Sequence, residues 1–297
     1  MATGSRSVER SISIDAPIER VWRALTDADE IRNWFAPDVT VVPGKGGSIT
    51  MSWGGQWEWP TKIEAWDPPR YLRLLQHDIP TYDINGNPST EGERAQIAID
   101  YHLESRGGQT VLRLVHSGFG AGAGWDDELD GVERGWALEL GGLKFYLERH
   151  PGTPRTSAWV RSVSSQPAPE AWSRAWSSAG LVKQGILGAA PGSRFSLTLA
   201  TGDHFDGQVF YVHPSMGWVG VAEDWNDALL RVWLDRVGSE VSVNLWLSTY
   251  GVDASRVESF RERTQQMLDA LFTPFDAAQS KSFNTAPGRA FDAASQD

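Results

Sequence analysis

The sequence predicts an α+β protein of two tandem domains, each an antiparallel sheet wrapped around a long C-terminal helix. Three observations lead there. One strand, two short helices, a series of period-two segments and one long amphipathic helix follow each other over the first half of the chain. Pro151-Gly152-Thr153-Pro154 reads as a linker, and beyond it the same order of patterns restarts. The length of 297 residues, with 40% apolar and 22% charged residues, suits two globular units rather than a disordered chain. The boundaries expected are 1–152 and 153–273, followed by a polar tail over 274–297.

In the first domain, Val8–Ile14 alternates as a strand, with Val8, Ile12 and Ile14 on one face. Asp15-Ala16-Pro17 ends it: Pro17 suits a first helical turn and Asp15 is the candidate cap. Val21, Trp22 and Leu25 follow at helical spacing, and a second short helix is expected near Glu30–Trp34, stopped before Pro37. The period then becomes two. Strands are expected at Val39–Val42, Ser48–Trp53, Trp57–Trp66, Tyr71–His77, Ala95–Glu104 and Thr110–His116, separated by Gly- and Pro-rich turns and one polar loop. After the glycine-rich bend Gly118–Gly124, Val132, Trp136, Leu140, Leu143 and Leu147 mark an amphipathic helix over Asp126–Arg149.

In the second domain, Ala158–Val163 reads as a strand and Glu170–Trp176 as a helix, with Pro167-Ala168-Pro169 echoing Asp15-Ala16-Pro17. With one deletion, residues 18–26 align with 170–178, an offset of about 151 residues. Further strands are expected at Arg194–Thr201, Gly207–Val212, Trp218–Glu223, Ala228–Asp235 and Glu240–Ser248, before a closing helix over Ala254–Leu271. The tail is rich in Ala, Ser, Asp, Pro and Gly, the composition of a linker or loosely docked arm.

Composition excludes several function classes. A net charge of −11 disfavours nucleic acid and anionic membranes as partners. The absence of cysteine rules out disulfides, thiolate catalysis and Cys-ligated metal. No apolar run reaches 18 residues and Met1–Arg10 carries no apolar stretch, so a cytoplasmic protein is expected.

The segment Ile12–Trp34, with Pro17, Val21-Trp22, Ala24-Leu25-Thr26 and Trp34-Phe35, resembles the start of the activator-of-Hsp90-ATPase-like family. Ala65-Trp66-Asp67-Pro68-Pro69, Tyr71-Leu72, the run Thr110–Phe119, Gly135-Trp136, Leu143 and Leu147 extend the resemblance over nearly all of the first 150 residues. In the second half it rests on Ala168-Pro169, Trp172 and Leu229-Leu230-Arg231-Val232. The resemblance implies the SRPBCC (START-like) helix-grip fold, whose sheet and long helix usually enclose a cavity. The superfamily includes lipid carriers, cyclases and hydroxylase subunits, so function has to be read from sites. The basic, Asn- and Trp-rich motif of the Hsp90-stimulating co-chaperones has no match here.

Most motifs have structural explanations. Gly118–Gly124 breaks the G-x-G-x-x-G spacing at Ala123 and suits a hinge between strand and helix. Asp126-Asp127-Glu128 and Asp130 fall where a helix N-terminus favours anions. His77, His102 and His116 lie on three strands, but parity sends His102 to the face of Asp100, away from Ile97, Ile99, Tyr101 and Leu103. A three-histidine metal site is therefore not expected, and the protein is expected to need no cofactor. His116 shares its face with Leu112 and Leu114, which makes it either a hydrogen-bonded core residue or a polar group in a pocket. Gly202–Gly207, with His204, reads as a solvated turn.

The 15 tryptophans are the informative excess. Trp53, Trp57 and Trp59 are spaced to share a strand face unless Gly54-Gly55 breaks the parity. Trp136 on the long helix can oppose them, with Tyr101, Phe119 and Leu140 nearby. Such residues either pack a core or line a pocket for a flat ligand. The expected ligand-binding set is Trp53, Trp57, Trp59, Tyr101, His116, Phe119, Trp136 and Leu140. The function expected is binding of a hydrophobic or aromatic small molecule, including sequestration of a toxic compound, with the second domain capping, dimerising or stabilising; a homodimer is one assembly open to it. The alternatives are a cyclase-, dehydratase- or hydrolase-type enzyme using His116, Tyr101 or Arg113, and a chaperone-associated interaction module.

Overall fold

The computed structural model describes residues 5–53, 58–79, 95–120, 125–186, 190–237 and 240–274. The chain divides into two compact units, one running to Gly152 and the other beginning at Thr153.

The first unit opens with strand β1 (Arg6–Ile14), helix α1 (Ile18–Thr26) and helix α2 (Ala28–Arg32). Six strands follow: β2 (Asp38–Val42), β3 (Ser48–Ser52), β4 (Glu58–Asp67), β5 (Tyr71–Ile79), β6 (Ala95–Arg106) and β7 (Gln109–Phe119). Helix α3 (Asp126–Arg149) closes the unit. The sheet order is β1-β7-β6-β5-β4-β3-β2, antiparallel throughout, so the meander folds back and β1 pairs with the last strand. Alternation follows the sequence: Leu72 and Leu74, Ile97, Ile99, Tyr101 and Leu103, and Leu112 and Leu114 are buried.

Two expectations need correction here. Asp15 does not cap α1, whose N-cap is Pro17 without a side-chain hydrogen bond. The Asp15 N–H instead donates to Glu148 on α3 at 2.8 Å, and Lys144 donates to the Ser13 carbonyl at 2.6 Å, so the end of β1 is tied to the end of α3. The second short helix starts two residues before the expected span, because Asp27 caps it by accepting from Asp29 N and Glu30 N at 3.0 and 3.1 Å. Tyr146 on α3 locks the same corner: its hydroxyl donates to Glu30 at 2.7 Å and accepts from Asn33 and Gly152 N, both at 3.1 Å. Burial pushes its pKa up to about 12, so it stays a donor.

The second unit repeats this plan with β8 (Arg155–Ser164), α4 (Ala168–Ala175), β9 (Val182–Ile186), β10 (Arg194–Leu199), β11 (His204–His213), β12 (Gly217–Ala222), β13 (Ala228–Val237), β14 (Glu240–Tyr250), α5 (Ala254–Leu271) and β15 (Thr273–Pro274). Its order, β15-β8-β14-β13-β12-β11-β10-β9, is that of the first sheet with one short strand added at the edge. Strand β9 was not expected from the sequence: Val182-Lys183-Gln184-Gly185-Ile186 lacks an apolar alternation, and pairing with β10 defines it. Pro17 and Pro167 occupy the same place before α1 and α4, which pairs Trp22 with Trp172 and corrects the slipped alignment of 18–26 with 170–178. Residues 275–297 of the tail lie outside the described residues. Among the described residues, no helix is long and apolar enough to cross a membrane.

Candidate functional site

The inner face of the first sheet and helix α3 bring an aromatic group together. The Phe35 ring, in the turn between α2 and β2, lies with its centroid 5.5 Å from Trp53, 6.2 Å from Trp59 and 5.9 Å from Trp136. Trp59 is 6.3 Å from both Trp136 and His116, and Tyr101 meets Trp136 edge-on at 6.2 Å. His116 meets Phe119 at 4.9 Å. Most of these contacts are tilted or edge-to-face, the arrangements that ring quadrupoles favour. Trp53, Tyr101, His116, Phe119, Trp136 and Leu140 are all buried, and Trp59 is partly buried.

Strand pairing explains the tryptophan wall. Trp53 follows β3 and Trp59 lies on β4 opposite Met51, so the two come from paired strands and not from one continuous strand face. Trp57 lies outside the described residues.

Gln76, Tyr101 and His116 bring polar side chains among these rings. Trp136 Nε1–H donates to His116 Nδ1 at 2.9 Å, and Trp59 Nε1–H donates to Gln76 Oε1 at 2.7 Å. Gln76, 7% exposed, shares the parity of Leu72 and Leu74; that parity was legible in the sequence, although Gln76 was not among the expected site residues. Phe35 was missed for another reason: it sits outside any periodic element, where only the adjacent Trp34-Phe35 pair before Pro37 hinted at packing. Burial raises the Tyr101 pKa and pushes that of His116 down to about 3, so both are neutral at pH 7.

The expected hinge does not begin at Gly118, which lies within the last residues of β7. Gly118 has φ +105°, and a β-carbon there would lie 2.1 Å from the Gln96 carbonyl oxygen. Only glycine fits both conditions. The remainder of the bend, 121–124, lies outside the described residues.

The other expected polar groups face away. Arg113 points outward and pairs with Glu9 through Nε at 2.5 Å and Nη2 at 2.9 Å, so it is removed from the set of candidate catalytic groups. Its parity is opposite to that of Leu112, Leu114 and His116. His77 and His102 are exposed; the His102 ring stacks on Tyr71 at 4.8 Å. Beside it on the outer face, Arg73 Nη1 bonds both oxygens of Asp100 at 2.9 Å, and Tyr71 donates to the same carboxylate at 2.5 Å. In the second unit, His204 Nε2 lies 2.7 Å from Asp206 in an exposed position.

Two antiparallel sheets of seven and eight strands, each followed by one long helix, define an α+β protein of two tandem helix-grip domains. Residues 15–148 match the family described as activator of Hsp90 ATPase homolog 1-like protein. No curated protein matches the chain. Among solved structures, CalU16 from Micromonospora echinospora shares 25% identity over 48% of this chain and 76% of its own, with a TM-score of 0.36. The di-domain ARO/CYC BexL of the BE-7585A biosynthetic pathway shares 16% identity over 95% of this chain and 99% of its own, at TM-score 0.39. DynU16 of the dynemicin biosynthetic locus shares 15% identity over 93% and 97%, at TM-score 0.40.

Proposed function

We propose that the first domain binds a flat, apolar or aromatic small molecule on its inner face, between the sheet and α3. The observation that supports this reading is the presence of Gln76, Tyr101 and His116 among the rings of Phe35, Trp53, Trp59 and Trp136. A core built only for stability gains little from polar groups, which cost desolvation, whereas a binding site uses a few of them to orient a ligand among apolar walls. Stacking on such rings contributes about 0.5–1.5 kcal/mol per pair beyond area burial. Binding rather than turnover also fits His116, because a group with a pKa of about 3 is a poor base at neutral pH.

Titration of tryptophan emission with planar hydrocarbons and ketones tests the proposal. Saturable quenching is expected, and Trp136→Leu should weaken binding about tenfold while unfolding stays cooperative, since leucine fills part of the helix seam. Absence of saturable quenching, with Trp136→Leu unfolding the domain, would identify the rings as core.

A further inference from the structure

The side chain of His116 ends in a polar atom that has no hydrogen-bond partner among the described residues. Its Nε2 is buried and makes no hydrogen bond to the described residues, and the residue as a whole is only 5% exposed. The other ring nitrogen determines what that atom is. An indole N–H can only donate, so the 2.9 Å bond from Trp136 Nε1 requires Nδ1 to be the unprotonated acceptor. The neutral ring then carries its proton on Nε2. The result is a fixed N–H donor, held in one tautomer by α3 and facing an interior of aromatic rings. Leaving such a donor unmatched costs about as much as a lost hydrogen bond.

The fold itself does not require this donor. Ile14 and Ser164 end β1 and β8 at the same distance before Pro17 and Pro167. In that register Val8 corresponds to Ala158. Val8 pairs with His116 and Ala158 pairs with Leu247, so Leu247 is the second domain's equivalent of His116. The neighbouring strand agrees, since Ile99 pairs with His116 and Leu230 with Leu247. The same sheet position is therefore filled by a fully buried leucine in the copy.

We infer that the first domain selects planar ligands bearing a hydrogen-bond acceptor, a ring carbonyl or quinone-type oxygen, and that His116 Nε2–H donates to it. This rests on the binding proposed above and narrows its ligand class. It assigns His116 a recognition role, with Trp136 as the residue that positions its proton.

A matched pair of probes tests it: 9-fluorenone, a flat tricycle with one carbonyl, and fluorene, which has a methylene in its place. The wild-type chain should bind fluorenone about fivefold or more tighter than fluorene. In His116→Leu, which installs the residue of the second domain, that ratio should fall to about one. Equal affinities in the wild type would overturn the inference and leave the binding proposal standing. A preference that persists in His116→Leu would also overturn it, by assigning selection to another donor. Failure of both probes to bind would overturn both readings. Should His116→Leu not fold, two-bond 1H–15N spectra of the wild type decide. An Nε2–H tautomer whose Nε2 resonance moves with fluorenone and not with fluorene supports the inference. An Nδ1–H tautomer, or no difference between probes, overturns it.

Discussion

The two domains use one topology for two kinds of interior. On the first sheet, the inward positions Gln76, Tyr101 and His116 correspond through strand register to Ala222, Val232 and Leu247 on the second. Polar and aromatic groups in one copy thus stand where the other carries only aliphatic ones. The second interior is also filled differently. The Trp218 and Phe195 rings lie over Gly220, where a β-carbon would come within 2.4 Å of one and 2.6 Å of the other. These rings meet edge-on at 4.9 Å, and Phe260 of α5 packs against Phe205 and Trp225. Glycine on the strand makes room for a ring, so the space near the sheet is occupied by side chains of the domain itself. The comparison teaches that the helix-grip frame tolerates aliphatic side chains at these three positions, and that the polar groups the first domain carries there are an addition to it.

The most severe way to break this contrast is to exchange the key residue. Leu247→His should destabilise the second domain by about 3–5 kcal/mol at pH 7, combining lost apolar burial with an unmatched polar ring. Domain-resolved hydrogen exchange would read it; a change under about 1 kcal/mol would show that the second interior accommodates polar groups and remove the distinction.

Acid should separate the domains next. The folded pKa of His116 is about 3, below the ordinary 6.5 of an unfolded histidine, so between these values the unfolded chain binds a proton that the folded one does not. Its effect is absent above pH 6.5, and stability is lost as pH falls toward 3 at about 1.4 kcal/mol per pH unit. By pH 5 the first domain should have lost about 2 kcal/mol, and His116→Leu should remove that part of the slope. A wild-type and variant pair with parallel profiles from pH 7 to 5 would mean that His116 is hydrated.

The smallest effect concerns a corner that only the first domain has. Asp27 caps α2 there, whereas the second domain passes from α4 through a turn into β9. Asp27→Ala should cost the first domain about 1 kcal/mol, read from its denaturation midpoint at unchanged slope. No measurable shift would mean that Tyr146 and Glu30 hold the corner without the cap.

Much of this was legible in sequence because it follows from local periodicity. The spans of α3 and α5, the alternation of Ile97–Leu103, and the inward parity of His116 depend only on spacing along one element. Gly118 was expected in a hinge but lies within β7, and its reason is steric contact with a neighbouring strand that spacing cannot show. Arg113 lies outside and pairs with Glu9, as its parity opposite to Leu112 and Leu114 already indicates. Strand β9 and the edge pairing of β15 with β8 carried no local signal, since hydrogen bonds to another strand define them.

The sequence by itself determined the class of fold, the succession of elements and which face of each strand turns inward. Those properties arise from side-chain periods of two and 3.6 residues, which any segment carries in its own composition. Only the tertiary structure decided what His116 is. Its tautomer depends on a tryptophan twenty residues away on α3, and its lack of a partner depends on every element around it. Its contrast with Leu247 appears only once both sheets are in register. Hydrogen bonding across elements is a property of three-dimensional neighbours, and a one-dimensional pattern does not encode which neighbours meet.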